Sequence, residues 1–283
     1  MIRIALPNKG RLAEGARELL ERAGLEFDTR GDRALQASLG DDFLALFVNA
    51  RDIPEFVADG AADLGITGRD LVVESGRDVV VLLDLGFGRC RLALAASEDS
   101  DVGGLHDVAD ETRVATVFPR VTEEFFRQRG QRVRLVPISG AAENAPHLGV
   151  ADMIVDLVST GSTLKMNGLR EVGTILESTA VLIGRNDATT PQQTVELVTA
   201  LESVLRAQDK RYLMANVPRA QLPRVKEILP GINGPTVVDI LNGGEHVAAH
   251  AVVGRREVYR VIAQLKAIGA TGILVTSIER LMP

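Results

Sequence analysis

Residues 152–163 read Asp-Met-Ile-Val-Asp-Leu-Val-Ser-Thr-Gly-Ser-Thr, and no other stretch restricts the chain as much. Residues 155–158 predict a short buried strand, because β-branched side chains pack well on a pleated surface. Ser159, Thr160, Gly161, Ser162 and Thr163 follow at once. Their hydroxyls can donate to an anion, their backbone N–H groups can converge on it, and Gly161 permits a close approach or positive φ. Residues 163–166 can open a helix, whose N-terminal end favours negative charge. Asp156 enters the same loop, and a carboxylate beside a phosphate cradle repels the phosphate. Its partner is therefore a pair of sugar hydroxyls or a metal carried by the ligand. Together these residues point to a sugar phosphate. A plain polar turn after a strand has the same composition, since Ser, Thr and Gly are common in turns. No Gly-Lys-Ser/Thr ending follows Gly161, which argues against an ordinary P-loop nucleotide hydrolase.

The flanking residues extend the signal. Residues 143–164, Glu-Asn-Ala-Pro-His-Leu-Gly-Val-Ala-Asp-Met-Ile-Val-Asp-Leu-Val-Ser-Thr-Gly-Ser-Thr-Leu, closely resemble the signature of the ATP phosphoribosyltransferase family, the first enzyme of histidine biosynthesis. The resemblance reaches the N-terminus and the C-terminal third, as in the long, self-regulated form. It implies an α/β fold with a two-lobed, periplasmic-binding-protein-like catalytic core and a C-terminal ferredoxin-like βαββαβ domain. Residues 1–90 with 180–210 are expected to form the first lobe. Residues 91–179 are expected to form the second, with the phosphoribosyl pyrophosphate loop, and residues 211–283 a regulatory histidine-binding domain.

Composition fits that frame. The chain has 283 residues, 46% hydrophobic and 25% charged, which suits two or three globular domains. A net charge of −6 gives no support to a nucleic-acid role. The charge is uneven: residues 211–283 carry nine basic and five acidic side chains, so a net +4 there leaves −10 for the rest. Such asymmetry marks a separate C-terminal module. Cys90 is the only cysteine, which excludes an intrachain disulfide and fits a reducing cytoplasm. No apolar run approaches the roughly 20 residues that span a membrane. Residues 1–6 give way at once to polar residues, unlike a signal peptide.

Along the chain, residues 2–6 predict a strand and Leu12, Ala16, Leu19, Leu20 and Ala23 a helix stopped by Gly24. The Lys9-Gly10-Arg11 loop between them suits an anion. Residues 43–48 predict a strand, and Asp52 with Glu55 a capping box. Residues 63–67 predict a short buried strand ahead of Gly68 and Asp70, where Asp70 fits a helix N-cap. Strands are expected at 79–83, 91–95, 113–119 (ending in a turn) and 133–138, a crossover between lobes at 84–89, and helices at 122–129 and 141–149. The alternation argues for parallel α/β layers, and residues 172–183 are expected to pair with the first lobe. Thr190-Pro191-Gln192-Gln193 starts a helix whose stripe is Val195, Leu197, Val198, Leu201, Val204 and Leu205. From Arg211 the order is strand 212–217, helix 221–229, strands 236–241 and 247–253 about an Asn242-Gly243-Gly244-Glu245 turn, helix 256–268 and strand 272–278, a ferredoxin-like βαββαβ.

The reaction implied by the resemblance joins N1 of ATP to 5-phosphoribosyl pyrophosphate, releasing pyrophosphate. N1 carries a lone pair at neutral pH, so positioning polyanions and stabilising the leaving group dominate. On that reading Ser159, Thr160, Gly161, Ser162 and Thr163 hold the 5′-phosphate and Asp156 the ribose hydroxyls. Glu143 stands near them, or caps a helix. Lys9, Arg11, Arg51 and Arg91 face pyrophosphate or triphosphate unless they are structural ion-pair partners, and Gly68 and Asp70 lie on the nucleotide side. Mg²⁺ arrives on the substrates and keeps several waters, so no dedicated protein cage is expected. His147 reads as structural, and His106, His246 and His250 lack zinc spacing. Histidine, the feedback inhibitor, is placed at Asn216, Asp239, Leu241, Thr271 and Gly272. The family also implies dimers that assemble into hexamers. Phe118, Ala141 and Asn144 depart from its usual pattern without touching the phosphate loop. Two rival readings are a non-catalytic solute-binding protein and an amino-acid sensor. The absent signal peptide and the specific signature weigh against the first, the intact loop from Asp156 to Thr163 against the second.

Overall fold

The computed structural model describes residues 1–28, 35–186, 191–241 and 244–282. Two compact units emerge, Met1–Val195 and Glu196–Pro283. The first begins with β1 (Ile2–Pro7), α1 (Arg11–Arg22), β2 (Phe27–Asp28), β3 (Gln36–Leu39), β4 (Phe43–Val48) and α2 (Ile53–Ala58). Next come β5 (Leu64–Gly68), α3 (Arg69–Ser75), β6 (Val79–Asp84), β7 (Cys90–Ser97), β8 (Arg113–Thr116) and α4 (Pro119–Gln128). It ends with β9 (Arg134–Pro137), β10 (Met153–Val158), α5 (Ser162–Met166), β11 (Leu169–Ser178) and β12 (Ala180–Arg185). The boundary between units falls inside α6 (Gln192–Ala207), after Val195.

Two sheets make the two lobes of the first unit. One has seven strands in the order β2-β3-β4-β1-β5-β12-β6, the other five in the order β11-β7-β10-β8-β9. Both are mixed rather than wholly parallel. β1 runs parallel to β4 and β5, and β8 parallel to β9 and β10. β7 lies antiparallel to β10 and β11, and β12 antiparallel to β5 and β6. The reason is topological: β7 and β12 are the strands that follow each passage between lobes, so each enters its sheet from the opposite end. Residues 172–183 accordingly do not all join the first lobe. β11 stays in the second sheet beside β7, and only β12 returns.

Period-2 alternation sorts the side chains of β10. Met153 and Val155 enter a core with Leu92, Leu94, Phe118 and Phe126. Ile154 and Val158 enter one made largely of alanines, Ala93, Ala95, Ala115, Ala142 and Ala145, with Leu164. Small side chains on that face let the 3₁₀ turn Ala142–Asn144 and α5 lie close to the strand. Asp156 occupies the same face as Ile154, at the strand's end.

Several local expectations change, among them the helix expected over residues 141–149, of which only a 3₁₀ turn at Ala142–Asn144 forms. Asp52 does not cap α2: its φ of −88° and ψ of −13° are helical, which keeps its side chain from reaching back, and no cap hydrogen bond forms. Glu55 is taken instead by Arg77, whose Nε lies 2.6 Å from Oε2. α4 starts at Pro119, three residues earlier than the apolar spacing predicts, with the proline at the first turn. β2 and β3, which the sequence reading did not anticipate, extend the first sheet past β4.

The second unit contains β13 (Lys210–Pro218), α7 (Leu222–Ile228), β14 (Thr236–Asp239), β15 (His246–Gly254), α8 (Val258–Ala267) and β16 (Thr271–Ser277). Its sheet is antiparallel in the order β14-β15-β13-β16, the ferredoxin-like arrangement. Leu213, Ala215, Val217, Val247, Ala249 and Ala251 alternate into one core with Val225, Val261 and Leu265 of the helices. In α6 the buried side includes Leu197, Leu201 and Val204, while Val195 is exposed and Thr194 takes the inward position. The expected Thr190 cap, and Asn242 and Gly243 of the expected turn, lie outside the described residues. Among the described residues no helix is long and apolar enough to cross a membrane.

One carboxylate ties the lobes together. α4 has no acidic residue in its first turn and no side-chain cap of its own. Glu74 of α3 supplies both from across the unit, accepting the N–H of Arg120 at 3.1 Å and of Val121 at 3.0 Å. Those are two of the donors a helix N-terminus leaves unpaired. Glu74→Ala should lower the unfolding free energy by about 1 kcal/mol, read as a lower denaturant midpoint with an unchanged slope. An unchanged midpoint would count against this contact.

Candidate functional site

Two adjoining cavities lie in the first unit. The smaller, about 310 Å³, is lined by Arg11, Glu143 and residues 156–164. Its neighbour, about 380 Å³, is lined by Lys9, Arg11, Arg51, Asp70, Cys90 and Phe118, among others. Arg11, Leu157 and Ser159 belong to both walls. The loop predicted from its hydroxyls is therefore the floor of a concave site, and the Lys9-Gly10-Arg11 turn faces it.

The loop's shape follows from its residues. Gly161 takes φ +81° at the start of α5, a conformation that costs other L-residues about 1–2 kcal/mol. That turn leaves Thr160 Oγ1 3.0 Å from Ser162 Oγ, with the Ser162 N–H directed at Thr160 Oγ1. The Ser159 hydroxyl accepts from Arg11 Nη2 at 3.0 Å. Asp156 accepts the Leu157 N–H at 2.7 Å. Burial pushes its carboxyl above the ordinary value, and Glu143 nearby adds to the rise, against the Leu157 hydrogen bond and the charge of Arg51. The left-handed Ala141, φ +52°, turns the chain into the 3₁₀ segment that carries Glu143 to this spot.

The four basic candidates separate. Lys9, Arg11 and Arg51 line the larger cavity, and none forms an ion pair with a described carboxylate. Arg51 donates to the Val117 carbonyl at 3.4 Å and lies 5.3 Å above the Phe118 ring. Arg91 is ion-paired: Nε and Nη2 grip the Glu171 carboxylate at 2.8 and 2.5 Å across β7 and β11. It lines neither cavity, yet its Nη1 donates to the Ser159 carbonyl at 3.4 Å and so touches the loop that both cavities share.

Asp70 is nearly fully buried, at 4% exposure. It is not the cap of α3, because Gly68 holds that position. Its carboxylate instead folds back so far that a Cβ on Gly68 would sit 2.2 Å from Oδ1, so any side chain there would push the carboxylate aside. Oδ1 accepts from Ser178 Oγ at 2.6 Å, and Ser178 Oγ accepts the Asp70 N–H at 3.0 Å. Sequence reading missed Ser178, which closes β11, 108 residues away. It also missed Cys90, whose thiol is pushed up chiefly by burial and then by Asp70. Nothing in their sequence neighbourhood marks either; only the sheet register brings them here.

The profile described as ATP phosphoribosyltransferase (HisG) matches residues 49–203, and one described as the HisG C-terminal domain matches residues 207–280. The chain belongs to the ATP phosphoribosyltransferase family. The ATP phosphoribosyltransferase of Gemmatimonas aurantiaca is 60% identical, with 100% of both chains covered. That of Haloarcula marismortui is 52% identical, over 99% of this chain and 100% of its own. A solved structure, the ATP phosphoribosyl transferase (HisG:HisZ) complex from Thermotoga maritima, is 28% identical with a TM-score of 0.63, covering 73% of this chain and 99% of that one.

The strand-end and turn residues at which histidine is expected fall into two groups in the second unit. Asn216 pairs with Thr271, and a Cβ on Gly272, whose φ is +56°, would lie 3.2 Å from Asn216 Nδ2. Asp239 and Leu241 stand at the other edge of the sheet, where Asp239 is ion-paired with Arg219 and Leu241 is fully exposed. His147 Nε2 lies 2.8 Å from the Asn167 carbonyl, a structural contact.

The raised Asp156 pKa fixes a sign. The folded chain holds this proton more tightly than the unfolded chain, so the associated stability is present below the ordinary carboxylate value and is lost as pH rises through the raised one. Asp156→Asn has no charge to desolvate. It should melt above the parent at about pH 7 and level with it below about pH 3.9. A variant that melts lower at neutral pH would make Asp156 a structural partner instead.

Proposed function

We propose that this chain transfers the phosphoribosyl group of 5-phosphoribosyl pyrophosphate to N1 of ATP, giving phosphoribosyl-ATP and pyrophosphate. The observation that carries the reading is the pair of cavities sharing Arg11, Leu157 and Ser159. One wall is a hydroxyl and amide loop suited to a terminal phosphate. The other holds three cations, unpaired among the described residues, suited to longer polyphosphates.

In this reading residues 159–163 hold the 5′-phosphate and Asp156 the ribose hydroxyls, with Glu143 beside it. As N1 forms its bond to the anomeric carbon, the C–O bond to pyrophosphate breaks and negative charge grows on the leaving group. Lys9, Arg11 and Arg51, having no carboxylate partner among the described residues, can meet that charge without first breaking an ion pair. Mg²⁺ carried on the substrates would neutralise phosphate oxygens, and Asp156 and Glu143 are the carboxylates of the phosphate cavity that could receive its waters. The reaction opens histidine biosynthesis in the cytoplasm, histidine inhibits it through the C-terminal unit, and the chain works as dimers that assemble into hexamers. A dimer seam between two ferredoxin-like units gives histidine a two-state element to bias, which inhibition requires.

The purified chain with ATP, 5-phosphoribosyl pyrophosphate and Mg²⁺ should release one pyrophosphate per phosphoribosyl-ATP formed, detected by mass. No product would end the proposal. Thr160→Val should weaken phosphoribosyl pyrophosphate by roughly 1.5–3 kcal/mol while ATP binding holds, because one charge-assisted hydrogen bond is lost; equal loss for both substrates would rule out the assignment.

Isothermal titration should detect histidine binding to the full chain, and Asn216→Leu should remove it while turnover without histidine persists. Unaltered binding by the variant would move the effector site away from Asn216.

A further inference from the structure

The larger cavity contains a charge that its proposed occupant does not obviously want. Its described wall has three cations, Lys9, Arg11 and Arg51, and one carboxylate, Asp70. A carboxylate near a triphosphate is repulsive, so Asp70 must face a part of the nucleotide that donates hydrogen bonds. Its geometry is set with unusual completeness. Oδ1 is bonded to the Ser178 hydroxyl at 2.6 Å, and the same hydroxyl accepts the Asp70 backbone N–H at 3.0 Å. One side chain thereby fixes both the backbone and the carboxylate of Asp70. Gly68 closes off the opposite side, because the carboxylate lies against its Cα. Oδ2 has no hydrogen-bond partner among the described residues, and Asp70 opens on the cavity.

We infer that Ser178 is a positioning residue for base recognition: it turns Asp70 so that Oδ2 accepts a hydrogen bond from the 6-amino group of the adenine. The inference rests on the proposed reaction with ATP. The amine is the donor next to N1 on that base edge. When N1 takes on its bond to the anomeric carbon, positive charge spreads to the amine, so an acceptor there gains strength in the transition state. Ser178 is itself buried, at 4% exposure, and ends β11 opposite Cys90, where the chain leaves the second sheet. Ser178 does not itself line the larger cavity, whereas Asp70 does.

The test compares ATP with the 5′-triphosphate of unsubstituted purine riboside, which keeps N1 and lacks the amine. Turnover of ATP by the parent chain tests the reaction itself; the ratio of kcat/KM for the two nucleotides tests Ser178. Ser178→Ala should lower kcat/KM for ATP on the order of tenfold and leave the analogue nearly unchanged, the size expected for misplacing one charge-assisted hydrogen bond. Ser178→Thr, which keeps the hydroxyl, should retain the parent's ratio. If the analogue turns over too slowly, the two dissociation constants from calorimetry give the ratio. A merely structural serine would lower the melting temperature and reduce both nucleotides alike, which would overturn the inference. Should Ser178→Ala fail to fold, Asp70→Asn keeps the volume while substituting a donor, and it should collapse the same ratio. An unchanged ratio in either variant would also overturn it.

Discussion

The chain passes between two sheets twice, through residues 85–89 and again at Thr179, and the candidate site hangs from those crossings. Each crossing delivers a strand antiparallel to its new neighbours, β7 in one sheet and β12 in the other. The second crossing sets Ser178 against Asp70, and the first sets Cys90 on the same wall. Contacts between distant residues thus hold the lobes: Arg11 reaches Ser159, Arg51 reaches Val117, and Glu74 caps α4. Loops carry the chemistry while rigid sheets fix where those loops meet.

Charge in the site runs against the charge of the chain. Overall the protein is acidic at −6, yet Lys9, Arg11 and Arg51 line the larger cavity without a carboxylate partner among the described residues. Arg91 shows the contrast, since it has the same chemistry and is neutralised by Glu171. The difference lies in neighbours rather than residue type. A cation on a loop beside a cavity waits for an anion, whereas one inside a sheet meets the side chain of the next strand. Asp156 and Asp70 are the corresponding acidic exceptions, each held at a strand or helix end where backbone and hydroxyl donors are close at hand.

Much of the site was legible because it is local. Asp156 and residues 159–163 lie within eight positions, so one strand and one turn carry them all, and the family signature covers the same window. The Lys9-Gly10-Arg11 turn was legible for the same reason, lying between a period-2 and a period-3.6 segment. The ferredoxin-like order could be read from apolar spacing, and the sheet then formed in the matching order. Where the reading failed, a distant competitor had won. Glu55 fits a capping box by spacing but pairs with Arg77, and residues 172–178 read as a first-lobe strand but pair with β7.

By itself the sequence determined the alternation of elements, the hydroxyl- and glycine-rich loop, the separate C-terminal module and the family. These depend on propensity, periodicity and short spacings, which act over a few residues. Tertiary structure decided which cations stay unpaired, that Asp70 is locked by Ser178 rather than serving as a cap, and that small residues on one face of β10 let Glu143 approach Asp156. Such outcomes depend on strand register and on which side chains burial forces together, and no window along the chain contains both partners.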